Sequence, residues 1–198
     1  STGGEPGAIC ALWGGAAVSV GDEGLEIVLK GAQGMDSMEI SMSLSPHMGE
    51  REHLSIYING VRLDEILATV DETYFGLIPA WVDEYDESYE PNMREKRYVL
   101  EKTKLSDRPT ELPIMLCPDD FDFSCTVIVV EVICAGNTVI WSRFGADVTI
   151  YDADETELPK YIGKKVDWFS GIGPFTFSKQ IYMDCILRFP MMQSLRIE

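Results

Sequence analysis

The residues of this sequence best equipped for chemistry lie between Cys117 and Cys125, where CPDDFDFSC sets Asp119, Asp120 and Asp122 between two thiols. Oxygen donors at this spacing can hold a divalent cation. Asp120, Asp122 and Ser124 match the opening ligands of a calcium loop, and Glu131 falls at its twelfth position. The match breaks at the sixth position, which needs glycine for a sharp turn and holds Cys125. The positions that follow, TVIVV, are β-branched and belong in a strand. Zinc needs close pairs of Cys or His, and no histidine stands near these two separated cysteines. Two carboxylates could instead act as acid and base, and Asp119, Asp120 and Asp122 are the residues a metal-dependent hydrolase would use. The plainer expectation is a polar turn between strands, started by Pro118 and braced by Asp side chains that accept from nearby backbone N–H groups. No resident metal or cofactor is expected.

Other candidates are weaker as chemistry. Ser41, Ser43 and Ser45 lie near His47 and His53, but nothing like G-x-S-x-G surrounds them, and alternating serines on a strand read as a solvent face. GIGPF has glycines but no P-loop frame and no lysine. Trp81, Tyr85 and Tyr89 recur every four residues among Asp83, Glu84, Asp86, Glu87 and Glu90. On a helix the three rings would share one face of an acidic body, either packed on the core or presented to a protein partner as anchors. The carboxylates between Asp83 and Glu90 repel one another, and an external cation would relieve that repulsion. These eight residues are the expected partner-binding set.

The elements that must position these groups read as α+β, a largely antiparallel sheet with two or three short helices. ALWGGAAVSV and LEIVLKGA, separated by GDEG, form a hairpin, followed by a linker in GAQGMDS. Residues 1–34 are expected to be a β-hairpin extension or a remnant of expression, with 35–198 as one α+β domain. The opening STGGEPG carries no initiator Met and reads as a processed end or such a remnant. MEISMSL and HLSIYI alternate as strands, Asn59–Gly60 marks a tight turn, and Leu63, Ile66, Leu67 and Val70 recur as the stripe of a short helix. GLIPAWVDEYDESYEPN has no period and is expected as an exposed loop or a turn of helix, while REKRYVLEKT fits helix or strand. ELPIMLC is a strand. CTVIVVEVIC is apolar without alternation, the mark of a strand buried on both faces. AGNT turns it back into VIWSRFG. ADVTIYDADETELP is expected as a further strand ending in an acidic loop, with short extended pieces at VDWF and GIGPFTF. Ser178 then caps a last helix, KQIYMDCILRF, with Ile181, Cys185 and Phe189 on one side, flanked by Tyr182 and Ile186.

Composition narrows the class. At 198 residues, 45% hydrophobic and 10% aromatic, the chain can bury a substantial core. No apolar run reaches the roughly 20 residues of a membrane-spanning helix. Five scattered cysteines, an odd number, suit a reducing cytoplasm better than a disulfide framework. The net charge of −17 is unevenly spread: up to Met93 there are 17 acidic and three basic residues (Lys30, Arg51, Arg62), a balance of −14. From Arg94 onward 16 acidic residues face 13 basic ones, a balance of −3. Such a surface disfavours nucleic acid, whose binding rests on cationic patches and counterion release. It would draw a basic protein.

PIMLCPDDFDFSCTVIVVEV, VIWSRFGAD and VDWFSGIGPFTFSKQIY, with LSIYINGVRLDEIL and GLIPAWV before them, resemble small bacterial proteins of the polymorphic-toxin immunity type, over roughly residues 38–189. The resemblance implies a non-enzymatic cytoplasmic protein that binds and neutralises a cognate toxin. The acidic half agrees with a basic toxin such as a nuclease, blocked by occlusion. The alternative is the hydrolase built on Asp119, Asp120 and Asp122.

Overall fold

The computed structural model describes residues 17–21, 24–28, 34–47, 49, 51–82, 88–119, 121–149 and 159–197. The chain divides into two compact units, Ser1–Met35 and Asp36–Glu198. In the first, β1 (Ala17–Gly21) and β2 (Gly24–Val28) pair antiparallel, with Ala17 opposite Val28.

The second unit is α+β, with antiparallel sheets of three and six strands. In the smaller sheet β3 (Met38–Leu44) pairs with β4 (Glu52–Ile58), and β4 with β5 (Val61–Arg62). Alternation decides which face turns inward: Met38 and Ile40 are buried opposite Ile58 and Ile56. The turn from β4 to β5 uses Asn59 (φ 52°) and Gly60 (φ 80°). Two consecutive left-handed residues make a tight hairpin turn, which is why Asn–Gly serves here. Helix α1 (Leu63–Ala68) buries Leu63 and Leu67. Val70 does not extend that stripe: the chain has left the helix by then, and Val70 is exposed. A 3-10 turn follows at Glu72–Tyr74, capped by the Asp71 side chain, which accepts from Thr73 N–H.

The segment expected as an exposed loop begins instead inside the core. Leu77, Ile78, Ala80, Trp81 and Val82 are buried, and β6 (Ile78–Pro79) pairs with β7 (Thr110–Leu116). A short strand covered on both sides has no alternation to display. Its Pro79 is tolerated because β6 is an edge and needs no outward N–H. The ambiguous segment is helix α2 (Glu90–Thr103), with Pro91 in the first turn, where a missing N–H is harmless.

The larger sheet runs in the order β10-β9-β8-β7-β6. Strand β8 (Val127–Ala135) lies at its centre and turns at Gly136 into β9 (Thr138–Asp147). β9 has two successive partners along its other edge. β11 (Phe175–Ser178) sets Phe175 opposite Trp141, and β10 (Val166–Trp168) sets Val166 opposite Asp147. Gly145 makes the second pairing possible, since a Cβ there would lie 2.5 Å from Val166 Cγ1 and 2.6 Å from the Asp167 carbonyl oxygen. The separate strand expected at ADVTIY is not found. Ala146 and Asp147 complete β9, and residues 150–158 lie outside the described residues.

Helix α3 (Lys179–Ile186) starts where the sequence indicates, with Ser178 Oγ accepting from Ile181 N–H at 3.2 Å. Its inward face is Tyr182, Cys185 and Ile186, continued by Phe189, while Ile181 is exposed. At about 100° per residue Ile181 falls at the margin of that face, and burial favours the larger Tyr182. Trp141 organises the core: its ring meets Phe177 at 5.2 Å, Phe144 at 5.8 Å, Tyr182 at 6.1 Å and Trp81 at 6.5 Å, all edge to face. This arrangement sets the positive edge of one ring against the negative face of another.

Val129, on β8, has no solvent exposure. Val129→Ala should destabilise the protein by about 1–3 kcal/mol through lost burial and an unfilled void. Urea unfolding measures this, and an unchanged midpoint would contradict the central placement of β8.

Candidate functional site

The acidic stretches that stand apart in the sequence are both connected to α2. On this helix Asn92, Glu95, Val99 and Thr103 face inward at spacings of three and four residues. Three of the four are polar, so the face leaves little trace in a hydrophobicity pattern. The helix packs against β7, and the loop from Cys117 to Thr126, which joins β7 to β8, reaches back to it.

That loop is closed by Cys117 N–H donating to the Thr126 carbonyl at 3.0 Å. Asp122 Oδ1 accepts from Ser124 N–H at 2.8 Å and from Ser124 Oγ at 2.6 Å, a side-chain turn of the kind Asp favours. Phe121 adopts φ 52°, a left-handed conformation rare for a bulky residue. Phe123 anchors the loop twice. Its ring is buried edge to face on Tyr98 at 6.3 Å, and its N–H donates to Glu95 Oε2 at 3.2 Å. Asp119 points into solvent, and Asp120 lies outside the described residues.

Glu95 is the unexpected member. Only 5% of it is exposed, and burial pushes its carboxyl up to about 8. The Phe123 N–H and the Arg94 charge oppose that rise, and the Asp122 charge adds to it. Asn92, one turn before, is also buried. Burial chiefly pushes the Cys117 thiol up to about 11. Among the described residues no group of three or more His, Cys, Asp or Glu side chains is placed to hold a metal ion.

The partner-binding set divides. Trp81 cannot be a surface anchor: its ring is fully buried, edge to face on Trp141 and on Phe189 at 5.5 Å. An indole that joins an aromatic core gains more from burial than from display. Nor do Trp81 and Tyr89 share a helical face, because Trp81 lies in a turn two residues past β6 and α2 begins only at Glu90. Tyr89 is exposed, as is Glu90, which holds Arg97 at 2.9 Å. Asp83, Glu84, Tyr85, Asp86 and Glu87 lie outside the described residues.

The serines of β3 do not form a plain solvent face either. Ser45, just past the end of β3, is buried and donates to the Gly76 carbonyl at 2.7 Å. Ser43 Oγ lies 2.6 Å from Ser55 Oγ, which lies 3.3 Å from Nδ1 of buried His53. Arg62 is engaged by the buried Asp64 carboxylate, with contacts of 2.5 and 2.8 Å, and Asp64 also accepts from Gly76 N–H at 2.9 Å. Glu65 lies 3.7 Å from the same guanidinium.

Comparison with protein-family models, curated proteins and solved structures gave no significant match.

Glu95 gives a pH test. Its carboxyl titrates near 4.5 in the unfolded chain and near 8 in the fold. Below the lower value both states hold the proton, and the group contributes nothing to the pH dependence. Between the two values only the folded state keeps it, so stability falls as pH rises through this window, and the loss is complete above 8. Glu95→Gln retains an acceptor for Phe123 N–H and cannot ionise. Its stability relative to wild type should increase from pH 4.5 to 8 and then level off. Parallel pH dependences of the two proteins in urea titrations would refute the raised value.

Proposed function

We propose that this chain is a non-enzymatic cytoplasmic binding protein, an immunity-type protein that neutralises a basic toxin, such as a nuclease, by occluding it. The observation that carries this reading is the segregation of charge, sharpened by what the fold does with the few cations. Of the three basic residues before Arg94, Arg62 is already engaged by Asp64 and Glu65. Glu39, Glu52, Glu65, Asp71, Glu72 and Glu90 are exposed in the same part of the chain. Tyr89 adds an exposed ring beside the acidic run, of the kind that anchors protein interfaces.

Further support comes from the resemblance over residues 38–189 and from the thiols. Cys117, Cys125, Cys134 and Cys185 are all free, which suits a reducing compartment. No helix among the described residues is long and apolar enough to cross a membrane. On this reading Tyr89 with Asp83, Glu84, Tyr85, Asp86, Glu87 and Glu90 forms the contact face. Affinity purification from the source cell should yield a basic protein whose toxicity the chain suppresses on co-expression. A neutral or acidic partner, or a toxic one left unaffected, would overturn the proposal.

Charge reversal at Asp83, Glu84, Asp86 and Glu87 should slow association with that partner on the order of tenfold at low salt and flatten its salt dependence. Stopped-flow association at several ionic strengths reads this. Unchanged rates, with the fold intact by circular dichroism, would remove the segment from the interface.

A further inference from the structure

The inward face of the smaller sheet continues past the body that covers it. Along β3, alternation places Met38, Ile40, Met42 and Leu44 on one side. Met38 and Ile40 are buried there, whereas Met42 and Leu44 are each 51% exposed. Leu54, opposite Met42, is half-buried. Arg62 links this end of the sheet to Phe75. Its guanidinium donates to the Leu44 carbonyl at 3.0 Å and lies 5.5 Å from the centre of the Phe75 ring, which is 43% exposed. Carboxylates border these side chains. Glu52 is directly opposite Leu44 in the register and is exposed, and Glu65 lies 3.7 Å from the Arg62 guanidinium. Asp64 holds the same guanidinium, so its charge is already met. An exposed apolar patch with a polar rim marks an interaction site, and here the rim is negative.

We propose that Met42, Leu44 and Phe75 form a docking surface for a basic amphipathic helix of a protein partner. The charge of the rim selects among the possible occupants. A second copy would bring the same carboxylates and a net charge of −17, and an anionic lipid surface would be repelled in the same way. A partner segment with Lys or Arg beside its apolar residues is complementary in both respects. A helix suits the patch better than an extended segment. In a strand, successive side chains point to opposite sides, so cations next to an inward apolar residue would turn away from the rim. On a helix they flank both margins of the apolar stripe, where Glu52 and Glu65 can meet them. The surface uses none of the residues assigned to the contact face above, and its occupant need not be a toxin.

The test titrates the full isotope-labelled chain with a short synthetic helix-forming peptide of Leu and Lys that carries its leucines on one face. Nuclear magnetic resonance should show saturable binding, with the largest shifts around Met42, Leu44 and Phe75, weakening as salt is raised. Leu44→Ser and Phe75→Ser should each reduce affinity on the order of tenfold. Glu52→Gln combined with Glu65→Gln should reduce it and flatten the salt dependence. Circular dichroism checks each fold, and Leu44→Ser decides alone where Phe75→Ser, deprived of the ring beneath Arg62, does not fold. Charge reversal at Asp83, Glu84, Asp86 and Glu87 should leave the site of the largest shifts unchanged, so the two faces are read separately. Lack of saturable binding, equal binding of a peptide with Gln in place of Lys, shifts centred elsewhere, or a dimer of the chain alone that Leu44→Ser dissociates would overturn the proposal.

Discussion

A strand that is apolar on both sides has to be covered on both sides, and β8 is such a strand. Val127, Val129, Ile128 and Val130 are all buried, so neither face of the sheet centre can be left to water. Strands β7 and β9 satisfy its backbone, and much of the remaining domain supplies cover. Val130 and Val132 lie opposite Phe144 and Trp141, and Trp141 in turn gathers Trp81, Phe177 and Tyr182 from three other parts of the chain. The smaller sheet is joined to this body through α3, where the Cys185 thiol donates to the Met38 carbonyl, and through Asp36, whose carboxylate accepts from Thr176 N–H.

The abundance of carboxylates has two uses. Some secure turns by accepting backbone N–H groups. Asp64 holds Gly76, Asp71 holds Thr73, Asp122 holds Ser124, and Asp147 holds both Thr149 and Gly163. Charge-assisted bonds of this kind are stronger than neutral ones and cost little where the other lone pairs reach water or a cation. Glu95 takes the same role at a buried position, where holding a proton is easier than holding a charge. Others, among them Glu39, Glu52, Glu65, Glu72 and Glu90, are exposed and contribute to the negative field of the first half of the chain. Counting acidic residues without this division overstates what is left for a partner.

The internal carboxylates also explain why α2 matters to both acidic stretches. The run from Asp83 to Glu90 leads into its first turn, and the Cys117–Cys125 loop is pinned to it at Glu95. A helix that looks like a charged surface segment therefore carries Glu90 in its first turn and the anchor of the Cys117–Cys125 loop one turn later.

Local signals were enough for much of the fold. The Asn59–Gly60 turn, the alternation of β3 and β4, the unbroken apolar run of β8 and the Ser178 cap each depend on neighbours a few residues away, and each can be read in the sequence. The charge asymmetry and the reach of CPDDFDFSC as a turn were legible for the same reason. Trp81 was not, because an aromatic at four-residue spacing serves a helix face or a core equally well, and contact with Trp141 and Phe189 decides between them. Nor was Glu95 beneath Phe123. Composition and short-range pattern determined the class of fold, its strands and its sign of charge, since these follow from backbone stereochemistry and the period of burial. Which carboxylates are spent inside and which ring is hidden were decided only when distant segments packed together, because burial and proximity are properties of pairs that the sequence keeps apart.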